Sequence, residues 1–203
     1  MNTLRTPPGR RSPMTKTEPV SLTITATLDV GVNVTSPLWA EALPAAMGLS
    51  LDAADAAYQA ALLQSKAEGD GGGDPGAEVS IVLADDKLIR DLNREFRGQD
   101  KATNVLSFPS TGTEDAPAPP GEPLLLGDII VAFETTAAEA VGQGKPLADH
   151  FCHLIVHGML HLLGHDHQTD IMANAMEALE IKVLAGLDIT NPYDDGSGDD
   201  QNQ

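Results

Sequence analysis

The sequence contains a single cysteine and no long apolar stretch. One thiol, Cys152, cannot form an internal disulfide framework, and we interpret it as a small core residue because its neighbours are apolar. No run of about 18 apolar residues occurs, so no membrane-spanning helix is expected. The first residues lack the charged start and apolar centre of a secretory signal. We therefore expect a cytoplasmic protein that does not contact a membrane.

Basic side chains are also scarce. The 203 residues include 12 lysines and arginines against 30 aspartates and glutamates, which gives a formal net charge of -18. A charge of this sign argues against broad electrostatic attraction to nucleic acid. Any polyanion must therefore be bound locally.

Length and composition predict one folded domain with disordered ends. The chain is long enough for a single domain with a real core and too short for two independent domains. The proline-rich residues 1–19 predict a disordered arm, and the acidic residues 191–203 predict a disordered tail. The domain is expected to span residues 20–190, with flexible insertions near 67–77 and 110–123.

Hydrophobic periodicity predicts both strands and helices. Apolar residues that alternate or run continuously favour strands at 21–30, 78–84, 104–109 and 124–133. Helical spacing and capping residues favour six helices. Two begin at Pro37 and Pro146, and four span residues 51–66, 86–96, 134–142 and 170–185. Because these elements do not alternate strictly, we expect an α+β single domain. Its four-stranded mixed sheet would pack with helices around a central histidine-bearing helix.

All six histidines of the chain lie between positions 150 and 167. Four of them, His150, His153, His157 and His161, have the spacing that keeps side chains on one side of a helix. The residues between them are apolar nearly all round, which is typical of a helix buried in a core. The imidazoles are then its only polar stripe, which indicates that this helix needs imidazole for a chemical purpose.

Two of these histidines suit a metal ion. His157 and His161 are one helical turn apart, so their rings can converge on a single ion. Gly164 is placed to end the helix and turn the chain back, which can return a third imidazole, either His165 or His167. Spacing alone does not decide between these two. Three protein ligands with one open position are the arrangement of a catalytic zinc site.

The outer histidines have simpler interpretations. We assign His153 to the surroundings of the metal site or to the core, because three helical ligands plus one from the turn would close the site. His150, at the outer end of the stripe, is expected on the surface. For His157 and His161, the alternative is a pair of hydrogen-bonded core histidines, and the histidine-rich turn beside them favours a metal site instead.

One stretch resembles a known family. The residues from His157 to His167, HGMLHLLGHDH, resemble the H-G-x-L-H-L-x-G-x-D-H signature of the YbeY family of bacterial single-strand-specific endoribonucleases. Two further blocks are similar in sequence and order: LNREFRGQDKATNVLSFP at 92–109 and LGDI at 126–129. A histidine motif of this length with two ordered blocks is far more specific than a bare H-x-x-x-H.

The resemblance implies a site and a reaction. It implies ligands to one zinc ion at His157, His161 and His167, which favours His167 over His165, and a catalytic arginine at Arg97. It further implies zinc-dependent cleavage of single-stranded ribosomal RNA, in maturation of the 16S 3′ end and in ribosome quality control. A ribosomal subunit or ribosomal protein would be the partner. Asn104 departs from the family, which more often has aspartate there, and His165 stands where tyrosine is common.

A basic stripe has two interpretations. The side chains concerned recur every three or four residues on the helix over 86–96 and just beyond it: Lys87, Arg90, Arg94, Arg97 and Lys101. Acidic neighbours, such as Asp91 and Asp100, allow a solvated helix face with ion pairs. Given the implied site, a surface that faces RNA is the interpretation we favour.

Two other functions are compatible with a histidine metal site. In zinc peptidases of the H-E-x-x-H type, a glutamate base follows the first ligand, whereas Gly158 follows His157 here. A non-catalytic ribosome-assembly or RNA-binding factor with a structural metal would require a fourth ligand, for which Asp128 is a candidate.

Overall fold

The computed structural model describes residues 27–67, 76–110 and 122–194. The predicted arm, most of both predicted insertions and the end of the tail lie outside these residues. Within them the elements follow in this order: β1 Leu28–Val34, α1 Pro37–Ala42, α2 Ala46–Ala67, β2 Ala77–Ala84, α3 Asp86–Arg97, β3 Val105–Pro109, β4 Leu124–Ala132, α4 Phe133–Gly142, α5 Leu147–Leu162 and α6 Asp170–Ala185.

The strands form one mixed sheet in the order β1-β2-β4-β3. β1 pairs with β2, and β2 with β4, in parallel, while β3 pairs antiparallel with β4. A parallel pair needs a crossover connection, which α1 and α2 provide between β1 and β2. The predicted α+β domain with a four-stranded mixed sheet is confirmed.

Helices cover both faces of the sheet. On one face, Ile81 and Leu83 of β2 join Ile155 of α5 in the larger apolar cluster. On the other face, Ile130 of β4 packs against Ile89 of α3. Helix α5 contacts β3, β4, α2, α4 and α6, so it lies at the centre of the domain. This central position of the histidine-bearing helix was expected from its apolar surroundings.

Local signals explain where several helices begin. Asp85 accepts the Leu88 N–H at 2.8 Å and caps α3, as its position suggested. Ser36 makes no such bond, and Pro37 starts α1 without a side-chain cap. Helix α2 begins at Ala46, earlier than the predicted 51, because helical bonding resumes directly after Pro44. Strand β1 covers only the end of the strand predicted at 21–30, whose first part lies outside the described residues.

Two expectations from the sequence concern the lone cysteine and the hydropathy of the helices. Cys152 is 2% exposed within α5, which confirms that it is a core residue. Burial, followed by the nearby Asp149 and Asp52, raises the pKa of its thiol to about 11, so the thiol is unreactive at neutral pH. None of the helices in the described ranges is long and apolar enough to span a membrane.

Candidate metal centre

Helix α5 lies very close to the sheet because position 158 is glycine. A Cβ at Gly158 would be 3.0 Å from Ile129 Cγ2 and 3.1 Å from Ser107 Oγ. Ser107 Oγ also donates a hydrogen bond to the Gly158 carbonyl at 3.3 Å. These contacts hold the helix against β3 and β4 just after His157. A glutamate base at this position, which a zinc peptidase needs after its first ligand, would have to displace these neighbours.

Three imidazoles meet where α5 ends. His157, His161 and His167 each offer a ring nitrogen, and these three atoms lie within 4.8 Å of one another. Gly164 ends the helix with a φ of 88°, a conformation that glycine adopts without strain. The returning chain places the His167 ring centre 5.7 Å from that of His157 and 5.0 Å from that of His161. The geometry thus brings His167, and not the ring of His165, into the cluster.

Hydrogen bonds determine which nitrogen of each helical imidazole faces the cluster. His157 Nδ1 lies 2.7 Å from Glu180 Oε1, and His161 Nδ1 lies 3.1 Å from the His165 carbonyl oxygen. A carbonyl or carboxylate oxygen only accepts, so each Nδ1 carries a hydrogen and each neutral ring presents its Nε2 lone pair. Burial, then the proximity of His157 and His167, lowers the pKa of His161 and favours its neutral form.

The donor set fits a divalent metal ion. The Nε2 atoms of His157 and His161 are 3.1 Å apart, and without hydrogens they cannot bond to each other. A cation between the two lone pairs removes their repulsion. Tetrahedral zinc with bonds of about 2.0–2.1 Å separates its ligand nitrogens by about 3.3 Å, close to the separation found here.

A buried carboxylate holds this arrangement in place. Glu180 of α6 is fully buried and lies 2.7 Å from His157 Nδ1 and 3.2 Å from His153 Nε2. Burial raises its pKa, but hydrogen bonds from His153, His157 and Tyr193 outweigh that effect and lower the pKa to about 2. Glu180 is therefore ionised at neutral pH, which makes it a strong acceptor for the His157 N–H.

Sequence reasoning missed Glu180, although a signal was present. The residue lies on the same buried face of α6 as Met176, Leu179 and Val183. A carboxylate on a buried helix face requires hydrogen-bonding partners, and a histidine-rich helix nearby could supply them. His153 is one such partner. It contacts Glu180 and lies outside the three-imidazole cluster, as its assignment to the surroundings of the site implied.

The end of the described chain folds back onto Glu180. Tyr193 donates its hydroxyl hydrogen to Glu180, and its ring packs edge-on against His153 with the ring centres 5.6 Å apart. Lys145 donates to the Pro192 carbonyl and fastens the same segment to the domain. Residues 191–194 belong to the segment that the sequence predicts as a disordered tail, yet they include a group that contacts Glu180 and His153.

His150 is buried, and its predicted surface position is wrong. Its side chain is 4% exposed, and its Nε2 lies 2.9 Å from Glu139 Oε2 of α4. Burial lowers the pKa of His150, and the hydrogen bond to Glu139 opposes that shift. Packing of α4 against α5 buries this position, and helical spacing carries no information about that contact.

Asn104 donates to the same Glu139 oxygen at 2.9 Å, so an amide suits a position where aspartate would repel Glu139.

Neither Asp166 nor Asp128 joins the cluster. Asp166 accepts the His167 N–H through Oδ1 at 2.7 Å, so its role in the structure is to cap the turn. Asp128 is exposed on β4. In the described ranges, the group of candidate ligands consists of the three imidazoles alone, with neither aspartate as a fourth member.

The three imidazoles open into a cleft of about 820 Å³ that Arg97 also lines. Arg97 is the last residue of α3, and Gly98, with a φ of 68°, ends the helix directly after it. The Arg97 side chain is exposed and makes no ion pair with any residue that the structure describes. Its guanidinium is thus available to an anion in the cleft.

Three of the four other basic side chains of the stripe form ion pairs with two aspartates, Asp91 and Asp100. The ion pairs are Lys87–Asp91 at 3.5 Å, Arg90–Asp100 at 2.7 Å and Arg94–Asp91 at 2.8 Å. All of these side chains are largely exposed, as in a solvated helix face. Arg97 and Lys101 form no ion pair with the residues that the structure describes, and of these two Arg97 lines the cleft. The predicted surface that faces RNA is therefore centred on Arg97.

Fold and site together define a class of protein: an α+β domain with a candidate three-histidine metal centre at the end of its central helix and an arginine in the adjoining cleft. The sequence model of one family, Endoribonuclease YbeY, matches residues 50–188. The chain belongs to the YbeY family.

Two relatives in sequence agree with this assignment. Endoribonuclease YbeY of Paramagnetospirillum magneticum is 52% identical over 170 residues, which cover 84% of this chain and 98% of the relative. The protein of the same name from Methylocella silvestris is 56% identical over 117 residues, or 58% of this chain and 63% of the relative. The solution structure of TM1509 from Thermotoga maritima aligns with 87% of this chain and all of its own, at 20% identity and a TM-score of 0.45.

We expect Glu180→Gln to weaken the acid dependence of folding stability. A carboxyl whose pKa falls from 4.5 to about 2 on folding stabilises the protein above pH 4.5, and this contribution disappears as the pH falls toward 2. The stability difference between wild type and variant should therefore shrink by on the order of 3 kcal/mol over that interval. Urea unfolding of the metal-free protein at a series of pH values measures it.

The control is Glu177→Gln on the same helix, since no hydrogen bond joins Glu177 to a histidine in the described part of the chain. Its unfolding free energy should follow that of wild type across the pH range. Parallel curves for wild type and Glu180→Gln would contradict the proposed state of Glu180.

Proposed function

We propose that this chain is a zinc-dependent endoribonuclease that cleaves single-stranded RNA. Membership in the YbeY family supports the general activity, hydrolysis of RNA phosphodiester bonds. The observation that carries the metal dependence is the convergence of His157, His161 and His167, with two Nε2 lone pairs directed at one point. Imidazole nitrogen and a three-ligand set favour zinc among divalent ions.

Different side chains around the cleft would bind the metal ion and orient its ligands. His157, His161 and His167 would hold one zinc ion, and Glu180 keeps the His157 ring in the required orientation. The chemistry that zinc would supply at this site is a bound water with a pKa lowered to about 7 and polarisation of a phosphate oxygen. The open cleft leaves room for RNA beside the histidines.

Arg97 would bind the phosphate that is cleaved. Its planar guanidinium presents several N–H donors that match two phosphate oxygens at once. Because no carboxylate among the described residues neutralises it, its full charge can offset the charge that develops on the phosphate during cleavage. A local contact of this kind also suits a protein whose net charge is -18.

We extend the proposal to ribosomal RNA in the cytoplasm. The support is the resemblance of the blocks at 92–109, 126–129 and 157–167 to the family signature. The proposed roles are maturation of the 16S 3′ end and ribosome quality control, with a ribosomal subunit or ribosomal protein as partner. Membership in an endoribonuclease family favours this enzyme over the non-catalytic assembly factor.

Removal of the metal should abolish cleavage. We expect purified protein to cleave a single-stranded oligoribonucleotide, to lose this activity in excess chelator and to regain it with added zinc, because the proposed chemistry requires the ion. His157→Ala should be inactive, whereas His165→Ala should remain active because it keeps the carbonyl that accepts the His161 N–H. Gel electrophoresis of the RNA products measures the cleavage activity under each metal condition and of each variant. Undiminished cleavage by His157→Ala would contradict the zinc mechanism.

Arg97 should matter far more than its paired neighbour. We expect Arg97→Ala to lower kcat/KM for single-stranded RNA by about 10²–10³-fold, the usual cost of losing one donor to a developing charge. Arg94→Ala is the matched control on the same helix, since Arg94 is paired with Asp91 and does not line the cleft. Steady-state kinetics of both variants provide the comparison. Equal effects of the two substitutions would rule out a specific role for Arg97.

A further inference from the structure

Phe96 is the most exposed aromatic residue of the chain. Its side chain is 62% exposed, whereas Trp39, Tyr58 and Phe151 are exposed by 3% or less. Isolated apolar side chains on a surface need no explanation. Phe96 is not isolated, however, because it lines the cleft that contains the three imidazoles, directly beside Arg97.

A second aromatic ring, that of Phe108, packs against Phe96. The Phe96 and Phe108 ring centres are 5.1 Å apart and the ring planes meet at 64°, an edge-to-face contact. Phe108 lies on β3 and packs against the apolar cluster that contains Ile89 and Leu106. The Phe96 ring thus contacts a residue of the sheet, while much of its surface stays open to solvent. Such a ring offers a flat apolar surface at low entropic cost.

The chemistry of this surface matches an unpaired nucleobase. Bases of single-stranded RNA stack on aromatic side chains, while in a duplex both faces of each base are covered by its neighbours. Arg97, which lines the same cleft, can bind a phosphate of the same strand. A base on Phe96 and a phosphate on Arg97 would place the strand along the cleft, past the three imidazoles.

The charge of the protein makes such a contact important. The net charge is -18, and Lys87, Arg90 and Arg94 are paired with aspartates, so non-specific attraction to RNA is weak. Stacking of one base contributes roughly 5- to 150-fold in affinity and depends little on salt. A single stacking residue can thus supply a large share of RNA binding here.

We propose that Phe96, braced by Phe108, is the platform on which one base of the RNA strand stacks, and that this contact makes the site select single strands. The proposal rests on the endoribonuclease function proposed above and adds the residue that determines its substrate.

Substitutions that separate aromaticity from size test the proposal. In the zinc-loaded protein, we expect Phe96→Leu and Phe96→Ala to raise KM for a single-stranded oligoribonucleotide by roughly 5- to 150-fold and to reduce the preference over its duplex. Phe96→Tyr and Phe96→Trp should retain KM and preference, because they keep a stacking surface. Val141→Ala, which truncates an 82% exposed side chain on α4, is the control and should behave as wild type.

Salt dependence distinguishes stacking from a general disturbance of the cleft. Phe96→Leu should weaken RNA binding by the same factor at low and high salt, whereas Arg97→Ala should make the salt dependence shallower. Wild-type KM and preference in Phe96→Leu would overturn the proposal. A wild-type protein that cleaves no RNA would overturn the proposed function instead. Fluorescence anisotropy of the same labelled oligonucleotide would then still show whether Phe96→Leu weakens binding.

Discussion

The candidate metal centre depends on two hydrogen bonds, those from Nδ1 of His157 and of His161. Each bond ends on an oxygen that only accepts, so each ring is held with its Nε2 lone pair toward the cluster. The two acceptors belong to different parts of the chain, Glu180 on α6 and the carbonyl of residue 165 in the turn. The site therefore forms only when α6 is packed on α5 and the turn is closed. Metal binding and folding are expected to be coupled for this reason.

The buried negative charge of Glu180 is the feature of this arrangement that costs the most free energy, and the surrounding fold compensates it. An ionised carboxylate in a core is tolerated only when its oxygens are fully bonded, and His153, His157 and Tyr193 together provide those bonds. On the opposite side of α5, Gly158 lets the helix approach β3 closely enough for Phe108, Phe96 and Arg97 to share one cleft with the imidazoles. The cleft thus brings the proposed phosphate-binding Arg97 of α3 together with candidate metal ligands of α5.

Local sequence signals were sufficient for most elements and for the cluster itself. Periodicity and capping located the sheet strands and helices, and the spacing of His157, His161 and Gly164 indicated the metal site. What remained hidden depends on packing between distant elements. His150 is buried by α4, and Glu180 reaches α5 from α6, so neither contact follows from helical spacing. The choice of His167 over His165 depends on the path of the turn, where the family resemblance, but not spacing, indicated the ligand.

Histidine tautomers in the metal-free protein test the account most directly. Long-range ¹H–¹⁵N NMR at mildly alkaline pH should show His157 and His161 as neutral rings with the hydrogen on Nδ1. Glu180→Ala, which removes the acceptor oxygen, should release His157 from this state while His161, bonded to the backbone, keeps it. A hydrogen on Nε2 of either ring in the wild-type protein would contradict the claim that the fold prepares these two nitrogens for a metal ion.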